Sequence, residues 1–242
     1  MTYRKRTSIV LNFMIAIISF LGVLLNCIFA TRDGYSHWHK RLLYFTNQSN
    51  IWIGITCLIV AILSIVSIRK RHNAMKNWVY VLKYIFTVSI TITGLIFCVL
   101  LAPFAGDYNA WTLASILVHV VVPVLSIADY FINDEQLPLK KWYITLPTIP
   151  PLIYFIFSTI LSAMRVDFGR GENYPYFFMN FYSEVGLFGF DNSGELPQIG
   201  AFYWIVIILG LILGLSYLYY KLHSSTANER KQKKKALTQN AS

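Results

Sequence analysis

Charged residues are scarce in this chain, and acidic residues are the scarcest. Only 13% of its 242 residues are charged, Asp and Glu together number 11 against 21 Lys and Arg, and 56% are hydrophobic. Because soluble domains carry about 25% charged residues, this composition argues against a soluble domain. The sequence also lacks an internal repeat, a glycine-rich phosphate-binding loop and a nucleophile elbow, so it offers no motif of a nucleotide-binding protein or of an α/β-hydrolase.

Cysteine is rare as well. Cys27, Cys57 and Cys98 all lie within apolar runs, and their number and spacing fit neither a disulfide framework nor a zinc site. We expect three buried free thiols. No ligand spacing for a metal is present, so we predict that the chain uses no metal and no cofactor.

The hydrophobic residues are concentrated in runs long enough to cross a bilayer, which takes about 20 residues. The runs are 8–30, 42–68, 79–102, 110–132, 142–163 and 199–221. They predict an all-α polytopic membrane protein with one six-helix domain, 1–223, and a basic, disordered tail, 224–242. The first run is longer than the apolar core of a signal peptide, so we interpret it as a retained helix.

The net charge of +10 is unevenly distributed along the chain. With the N-terminus inside, the outer segments carry few basic residues, namely Arg32, Lys40, Arg41, Arg165 and Arg170. The excess of Lys and Arg on the inner segments follows the positive-inside rule. We therefore expect both termini in the cytoplasm, a plasma-membrane location and no nucleic-acid partner. Lys83, near the inner end of the third run, is expected to snorkel to the membrane surface.

Consecutive polar residues open the second apolar run. Thr46, Asn47, Gln48, Ser49 and Asn50 stand before a long stretch that is nearly all apolar. In lipid such a band is costly unless other helices or a wet cavity surround it. Thr46, Ser49 and Asn50 are spaced to share one helix face, so we expect that face to meet another polar group in the bundle.

The fourth run carries a polar stripe that includes His119. Ser115, Ser126 and Asp129 lie on the same stripe, which should face the bundle because lipid disfavours it. Pro123 follows His119 by four residues and has no N–H to give the His119 carbonyl. The sequence therefore predicts a kink and a carbonyl acceptor at His119.

The predicted topology places Thr46 and His119 at similar depth in the outer half of the membrane. Thr46 should lie about 6 Å and His119 about 12 Å along their helices, a difference that helix tilt can absorb. A hydroxyl within reach of a neutral imidazole forms a nucleophile–base pair.

The neighbouring polar residues could support that chemistry by hydrogen bonding. Asn47, Gln48 or Asn50 could donate to an oxyanion, with Ser49 and Ser115 as polar support. Each residue also has a structural interpretation. Thr46 can bond its own backbone, His119 can be an interior residue, a ligand or a proton relay, and amide bands hold helices together.

Two further segments are distinctive. The last outer loop, 164–198, is rich in aromatic residues, and we expect it to lie on the outer interface as a lid that includes Tyr174, Tyr176, Phe177 and Phe178. In the sixth run, Gly210 and Gly214 form a small-xxx-small pair that permits close packing of helices. The oligomeric state stays open.

Two stretches together resemble a known family. Tyr44–Asn50 (Tyr-Phe-Thr-Asn-Gln-Ser-Asn) and Val118–Pro123 (Val-His-Val-Val-Val-Pro), with Asp129 following, resemble motifs of the androgen-induced-gene/FAR-17a-type family of multi-spanning membrane proteins. Tyr174-Pro175-Tyr176 followed by Phe177 resembles the outer-loop motif of the bacterial six-helix members. The resemblance extends over nearly the whole chain in helix count and motif order.

The resemblance implies an intramembrane threonine hydrolase. Animal members of that family hydrolyse fatty-acid esters of hydroxy fatty acids with a Thr and a His at the positions of Thr46 and His119. This chain departs from the family in the polar residues after Thr46 and in its long aromatic loop, so the substrate stays open.

Two functions are consistent with the sequence. The first is a hydrolase of lipid or fatty-acyl esters, with Thr46 as nucleophile and His119 as base. Its active site would open to the outer leaflet. The alternative is a non-enzymatic binder of a lipid or small molecule, or a transporter in which Asp129, Lys83 and His119 form part of a proton path. The paucity of deep ionisable groups and the missing repeat argue against the transporter.

Overall fold

The structure, a computed structural model, describes residues 3–104, 109–132, 139–191 and 198–239, with side chains up to His223. Six helices in the described chain are long and apolar enough to cross a membrane: Tyr3–Ile28, Phe45–Lys70, Asn77–Leu101, Leu113–Ile132, Lys141–Ala163 and Ala201–His223. Each overlaps one predicted run. The prediction of a mainly helical, multi-pass membrane protein is therefore confirmed.

Three spans are continuous α-helices, and three change helix type along their length. The continuous ones are α1 (Tyr3–Ile28), α2 (Phe45–Lys70) and α7 (Ala201–Gln239). The third span is α3 (Asn77–Ile96) followed by a π-helical segment, Phe97–Leu101. The fourth is α4 (Leu113–Ile116), a second π-helical segment, Leu117–Val121, and α5 (Val122–Ile132). The fifth is a 3₁₀ helix, Lys141–Thr148, followed by α6 (Ile149–Ala163).

Proline accounts for the change of type in the fifth span. Pro147 lies within the 3₁₀ segment, and Pro150 and Pro151 occupy the first turn of α6, where their missing N–H groups cost little. Short elements lie in the segments between the spans. They are the 3₁₀ helices Trp38–Leu43 and Phe177–Met179 and an antiparallel strand pair, β1 (Phe190–Asp191) and β2 (Gln198–Ile199), with Phe190 opposite Ile199.

The first four spans form the centre of the bundle. Their apolar side chains meet in one cluster made of Ile15, Ala16, Ile53, Cys57, Ile90 and Val122. In an 18-residue apolar stretch of each of these spans, between 39% and 50% of the residues are buried, against 22% and 17% in the fifth and sixth. The last two spans therefore expose more surface to lipid, with α7 packed on α3 through Tyr84, Ile92 and Ile212. Of the three thiols, which are all free, only Cys57 is buried and Cys98 is exposed.

Lys83 does not snorkel, contrary to the sequence-based expectation. It is only 4% exposed, and its Nζ lies 3.0 Å from Asp129 Oδ2 on α5. The same Nζ donates to Asn12 Oδ1 at 2.9 Å and to Cys57 Sγ at 2.8 Å, while Ser8 Oγ donates to Asp129 Oδ1 at 2.6 Å. A carboxylate on the facing helix thus replaces the lipid headgroup as the partner of Lys83. This inner polar cluster joins α1, α2, α3 and α5.

Two glycines, one on α3 and one on α1, allow the fourth span to pack closely against these helices. A Cβ at Gly94 would lie 2.7 Å from the His119 carbonyl oxygen and 3.1 Å from Pro123 Cγ, and a Cβ at Gly22 would lie 2.6 Å from Val118 Cγ1. The π-helical segment that carries His119 is therefore held between α1 and α3 at positions where no side chain fits. At the predicted kink, the span changes from π-helix to α-helix one residue before Pro123.

The C-terminal end differs from expectation. The backbone of α7 continues as a helix through Gln239, where the sequence suggests a disordered tail. Ala, Lys, Gln and Glu all have high helix propensity, and the preceding span supplies the nucleus. Residues 240–242 lie outside the described residues, as do 192–197 of the outer loop. A Cβ at Gly210 or Gly214 would meet nothing within 4 Å, so packing through these glycines between copies stays a prediction.

Removing one partner of the Lys83–Asp129 pair should destabilise the fold. Lys83→Met or Asp129→Leu leaves the other charge buried without its counter-ion, which typically costs about 3–5 kcal/mol. The double variant removes both charges and should recover most of that loss. Thermal unfolding of the purified protein in detergent measures this, and a double variant as unstable as the singles would contradict it.

Gly94→Ala should destabilise the protein by about 1–3 kcal/mol, because the new methyl group collides with backbone at His119 and overpacking costs this much. Gly210→Ala is the matched control, since its methyl group meets nothing within 4 Å. Its unfolding temperature should equal or exceed that of the wild type. Equal unfolding temperatures for the two variants would refute the close approach.

Candidate functional site

The hydroxyl of Thr46 and the imidazole of His119 are in contact. Thr46 Oγ1 lies 3.1 Å from His119 Nε2, across 73 positions of sequence. Thr46 is in the first turn of α2, and His119 is in the π-helical segment of the fourth span. Thr46 is 8% exposed and His119 is half-buried. The two side chains that the sequence pairs by depth therefore lie within hydrogen-bonding distance.

Ser115 fixes the imidazole from its other side. His119 Nδ1 lies 3.0 Å from the Ser115 carbonyl oxygen and 3.1 Å from Ser115 Oγ. A carbonyl oxygen can only accept, so the ring proton is on Nδ1 and Nε2 is left as an acceptor. Nε2 is the atom that faces Thr46 Oγ1. His119 is thus in the tautomer that a general base needs.

Phe97 packs flat against the imidazole. The two ring centroids are 3.8 Å apart and the ring planes differ by 11°. Phe97 is 4% exposed and begins the π-helical segment of the third span, opposite the one that carries His119. π-helical turns are rare and often found at functional sites. Sequence reasoning missed Phe97, because an aromatic residue in an apolar run gives no sign of what its ring contacts.

The polar residues after Thr46 mainly bond to backbone. Asn47 Nδ2 donates to the Arg41 carbonyl at 2.7 Å, and Gln48 Nε2 donates to the Leu42 carbonyl at 3.1 Å. Both bonds tie the start of α2 to the preceding 3₁₀ helix.

Asn50 and Ser49 reach other spans. Asn50 Nδ2 donates to the carbonyls of Thr46, at 2.8 Å, and Val118, at 3.1 Å. Ser49 Oγ lies 3.0 Å from Thr93 Oγ1 on α3. The band therefore supports the position of Thr46 in the bundle. Of its amides only Asn47 lines a cavity with Thr46, so donation to an oxyanion stays a prediction.

Thr46 separates two cavities of different character. The polar cavity has a volume of about 300 Å³ and is lined by Asn26, Tyr35, Arg41, Tyr44, Asn47, Phe97, Ser115, His119, Arg170 and Phe177, among others. The apolar chamber, of about 90 Å³, lies between α2, α3, α6 and α7 and is lined by Phe45, Ile92, Ile96, Leu152, Tyr154, Phe178, Ile208 and Ile212, among others. Thr46, Leu101 and Tyr176 line both. The nucleophile candidate is therefore open to a polar and an apolar compartment at once.

Cationic and phenolic groups surround the polar cavity. Arg41 is 8% exposed, forms an ion pair with Asp33 and lies over the Tyr35 ring at 3.9 Å from its centroid. Arg170 lies over the same ring at 4.6 Å. Burial, together with neighbouring Tyr35, raises the pKa of Tyr44, so this phenol is neutral. Sequence reasoning counted Arg41 only as an outer charge and did not foresee its place in the site.

The outer loop contributes unequally to the site. Tyr176 and Phe178 line the apolar chamber, and Tyr176 and Phe177 line the polar cavity, whereas Tyr174 lines neither. The loop thus reaches the junction of the two cavities. Within the described residues, no group of three or more His, Cys, Asp or Glu side chains could hold a metal ion.

Comparisons with models of known protein families, with curated proteins and with solved structures found no match to this chain. The family resemblance carried by the two motifs stays a prediction, and the site is interpreted from its own geometry.

Proposed function

We propose that this protein is an intramembrane hydrolase of lipid esters, with Thr46 as nucleophile and His119 as general base. One observation carries the proposal: Thr46 Oγ1 lies 3.1 Å from an imidazole nitrogen whose partner nitrogen donates to a carbonyl. A threonine that merely bonded its own helix would not need an oriented base. The resemblance of the two motifs to a threonine hydrolase family agrees with this chemistry.

The positions of the atoms support the following reaction. As Thr46 Oγ1 attacks the ester carbonyl carbon, its proton passes to His119 Nε2, and a tetrahedral oxyanion forms. His119 returns this proton to the leaving alcohol when the ester C–O bond breaks, which leaves an acyl group on Thr46. A water molecule then attacks the acyl group and gives a proton to His119 Nε2, which passes it to Thr46 Oγ1 as the bond between the acyl carbon and Thr46 Oγ1 breaks. The carboxylic acid leaves, and the Thr46 hydroxyl is restored. Phe97 and Ser115 keep the imidazole plane fixed through both steps.

The linings of the two cavities support one orientation of the proposed substrate. The apolar chamber between α3, α6 and α7 suits a fatty-acyl chain, because nearly all its lining side chains are aliphatic or aromatic. The polar cavity suits the alcohol portion and the water that completes the reaction. An ester held across Thr46 places its carbonyl at the junction. A lipid or fatty-acyl ester is thus the proposed substrate class.

The distribution of Lys and Arg supports a plasma-membrane protein with both termini in the cytoplasm, and the site then opens to the outer leaflet. A fluorescent protein fused at the C-terminus should fluoresce in the cytoplasm, and alkaline phosphatase fused there should be inactive. A phosphatase fusion at Asn180 in the outer loop is the control and should be active. The opposite result at both positions would show that the chain has the reverse orientation in the membrane.

Removing either member of the pair should abolish ester hydrolysis by the purified protein in detergent. We expect Thr46→Ala and His119→Ala to lower kcat by about 10³-fold or more, as loss of a nucleophile or base does in serine hydrolases. Thr46→Ser keeps a hydroxyl and should retain activity. Unfolding temperatures close to the wild type would show that the fold is intact.

The alternative of a transporter or lipid-binding protein is distinguished by a fluorophosphonate probe, which reacts with activated hydroxyl nucleophiles. Labelling that is lost in Thr46→Ala supports the hydrolase. Normal hydrolysis in both alanine variants would refute the proposed pair. pH-driven uptake by reconstituted vesicles, without labelling, would favour a transporter.

A further inference from the structure

The N-terminus of α2 presents a backbone N–H of the proposed nucleophile to the site. The helix begins at Phe45, and the first N–H groups of a helix have no partner within it. The N–H groups of Asn47 and Gln48 bond back to the Tyr44 carbonyl at 3.1 and 3.2 Å. The N–H of Thr46 instead donates to the hydroxyl oxygen of Tyr176, at 3.4 Å.

Tyr176 reaches this position from the outer loop, and its ring is held by other aromatic rings. It stacks on Phe178, with centroids 5.1 Å apart and planes 9° apart, and it meets Tyr44 edge to face at 5.6 Å. A ring packed on two sides has little freedom to turn. The hydroxyl is thereby fixed at the junction of the two cavities, which both Tyr176 and Thr46 line.

The protonation state of this hydroxyl suits a donor. Burial raises the pKa of Tyr176 to about 12, although hydrogen bonds with the Thr46 side chain and backbone lower it. The phenol therefore keeps its proton at neutral pH. The amides of Gln48 and Asn50, in contrast, donate to carbonyls and line neither cavity.

We propose that Tyr176 is a catalytic residue whose hydroxyl, together with the Thr46 N–H, stabilises the oxyanion formed on the substrate ester. This inference rests on the proposed function. When Thr46 Oγ1 attacks, the carbonyl π electrons move onto the substrate oxygen. This oxygen then accepts the hydrogen bond from the Thr46 N–H, which in the structure goes to the Tyr176 hydroxyl. The Tyr176 O–H donates to the same oxygen, and no proton is transferred from it. The oxygen returns to a carbonyl when the alcohol leaves.

Tyr176→Phe tests this role because it removes one oxygen and keeps the stacked ring. We expect kcat to fall by about 10²–10³-fold, the typical effect of losing one oxyanion donor, with KM nearly unchanged. The rate at which a fluorophosphonate labels Thr46 should fall by a similar factor, since its phosphoryl oxygen occupies the oxyanion position. Tyr174→Phe is the matched control, two residues away, and should hydrolyse at the wild-type rate.

Each rate is divided by the number of sites that the probe labels at completion. A variant that contains less folded protein is therefore compared correctly with the wild type. If the wild type turns over ester and Tyr176→Phe is as fast as Tyr174→Phe, or faster, the inference is wrong and Tyr176 only covers the helix end. If the wild type shows no turnover that depends on Thr46, the proposed function fails and this role fails with it. A fall in kcat confined to Tyr176→Phe supports both.

Discussion

The membrane gives polar groups no water to bond, and this constraint organises the protein. Each polar side chain from Asn47 to Asn50 makes at least one hydrogen bond: Asn47 and Gln48 to the preceding 3₁₀ helix, Ser49 to α3, and Asn50 to the fourth span, although Asn50 Oδ1 itself has no partner among the described residues. A buried polar group without a partner would cost several kcal/mol in lipid, so these bonds fix the rotation and depth of α2. Thr46 is held at the start of that helix as a consequence, with its hydroxyl directed at His119.

Two polar clusters lie within the same four helices, yet they differ in character. The inner cluster closes on itself, because Lys83 and Asp129 pair with each other and their remaining bonds go to Asn12, Cys57 and Ser8. The other cluster, made of Thr46, His119 and Ser115, has a cavity beside it, and a carbonyl oxygen orients its imidazole. A satisfied ion pair stabilises a bundle, whereas a base that faces a hydroxyl next to open space can carry out chemistry. The ionisable groups of the proton path considered from sequence are thus divided between these two clusters.

Most of the architecture could be predicted from the sequence. Hydropathy located all six spans within a few residues, since crossing a membrane requires a fixed length of apolar chain. The contact between Thr46 and His119 followed from charge-based topology and matched depth. The burial of Lys83 and the stacking of Phe97 could not be predicted, because both depend on which residue a neighbouring helix presents. A polar stripe indicates which face of a helix turns toward the bundle, but it does not indicate which residue of a neighbouring helix that face meets.

The π-helical turns explain why a projection onto ideal α-helices does not predict the contacts at the site. A π-turn adds about one residue to a turn, so every side chain after it is rotated relative to an ideal α-helix. The third and fourth spans both carry such a turn at the site, and these turns bring Phe97 flat onto His119. Gly94 and Gly22 admit the widened segment between their helices. Because the imidazole is held by packed helices, whereas Arg170, Tyr176 and Phe177 come from a loop, the base can stay fixed while the loop admits a substrate.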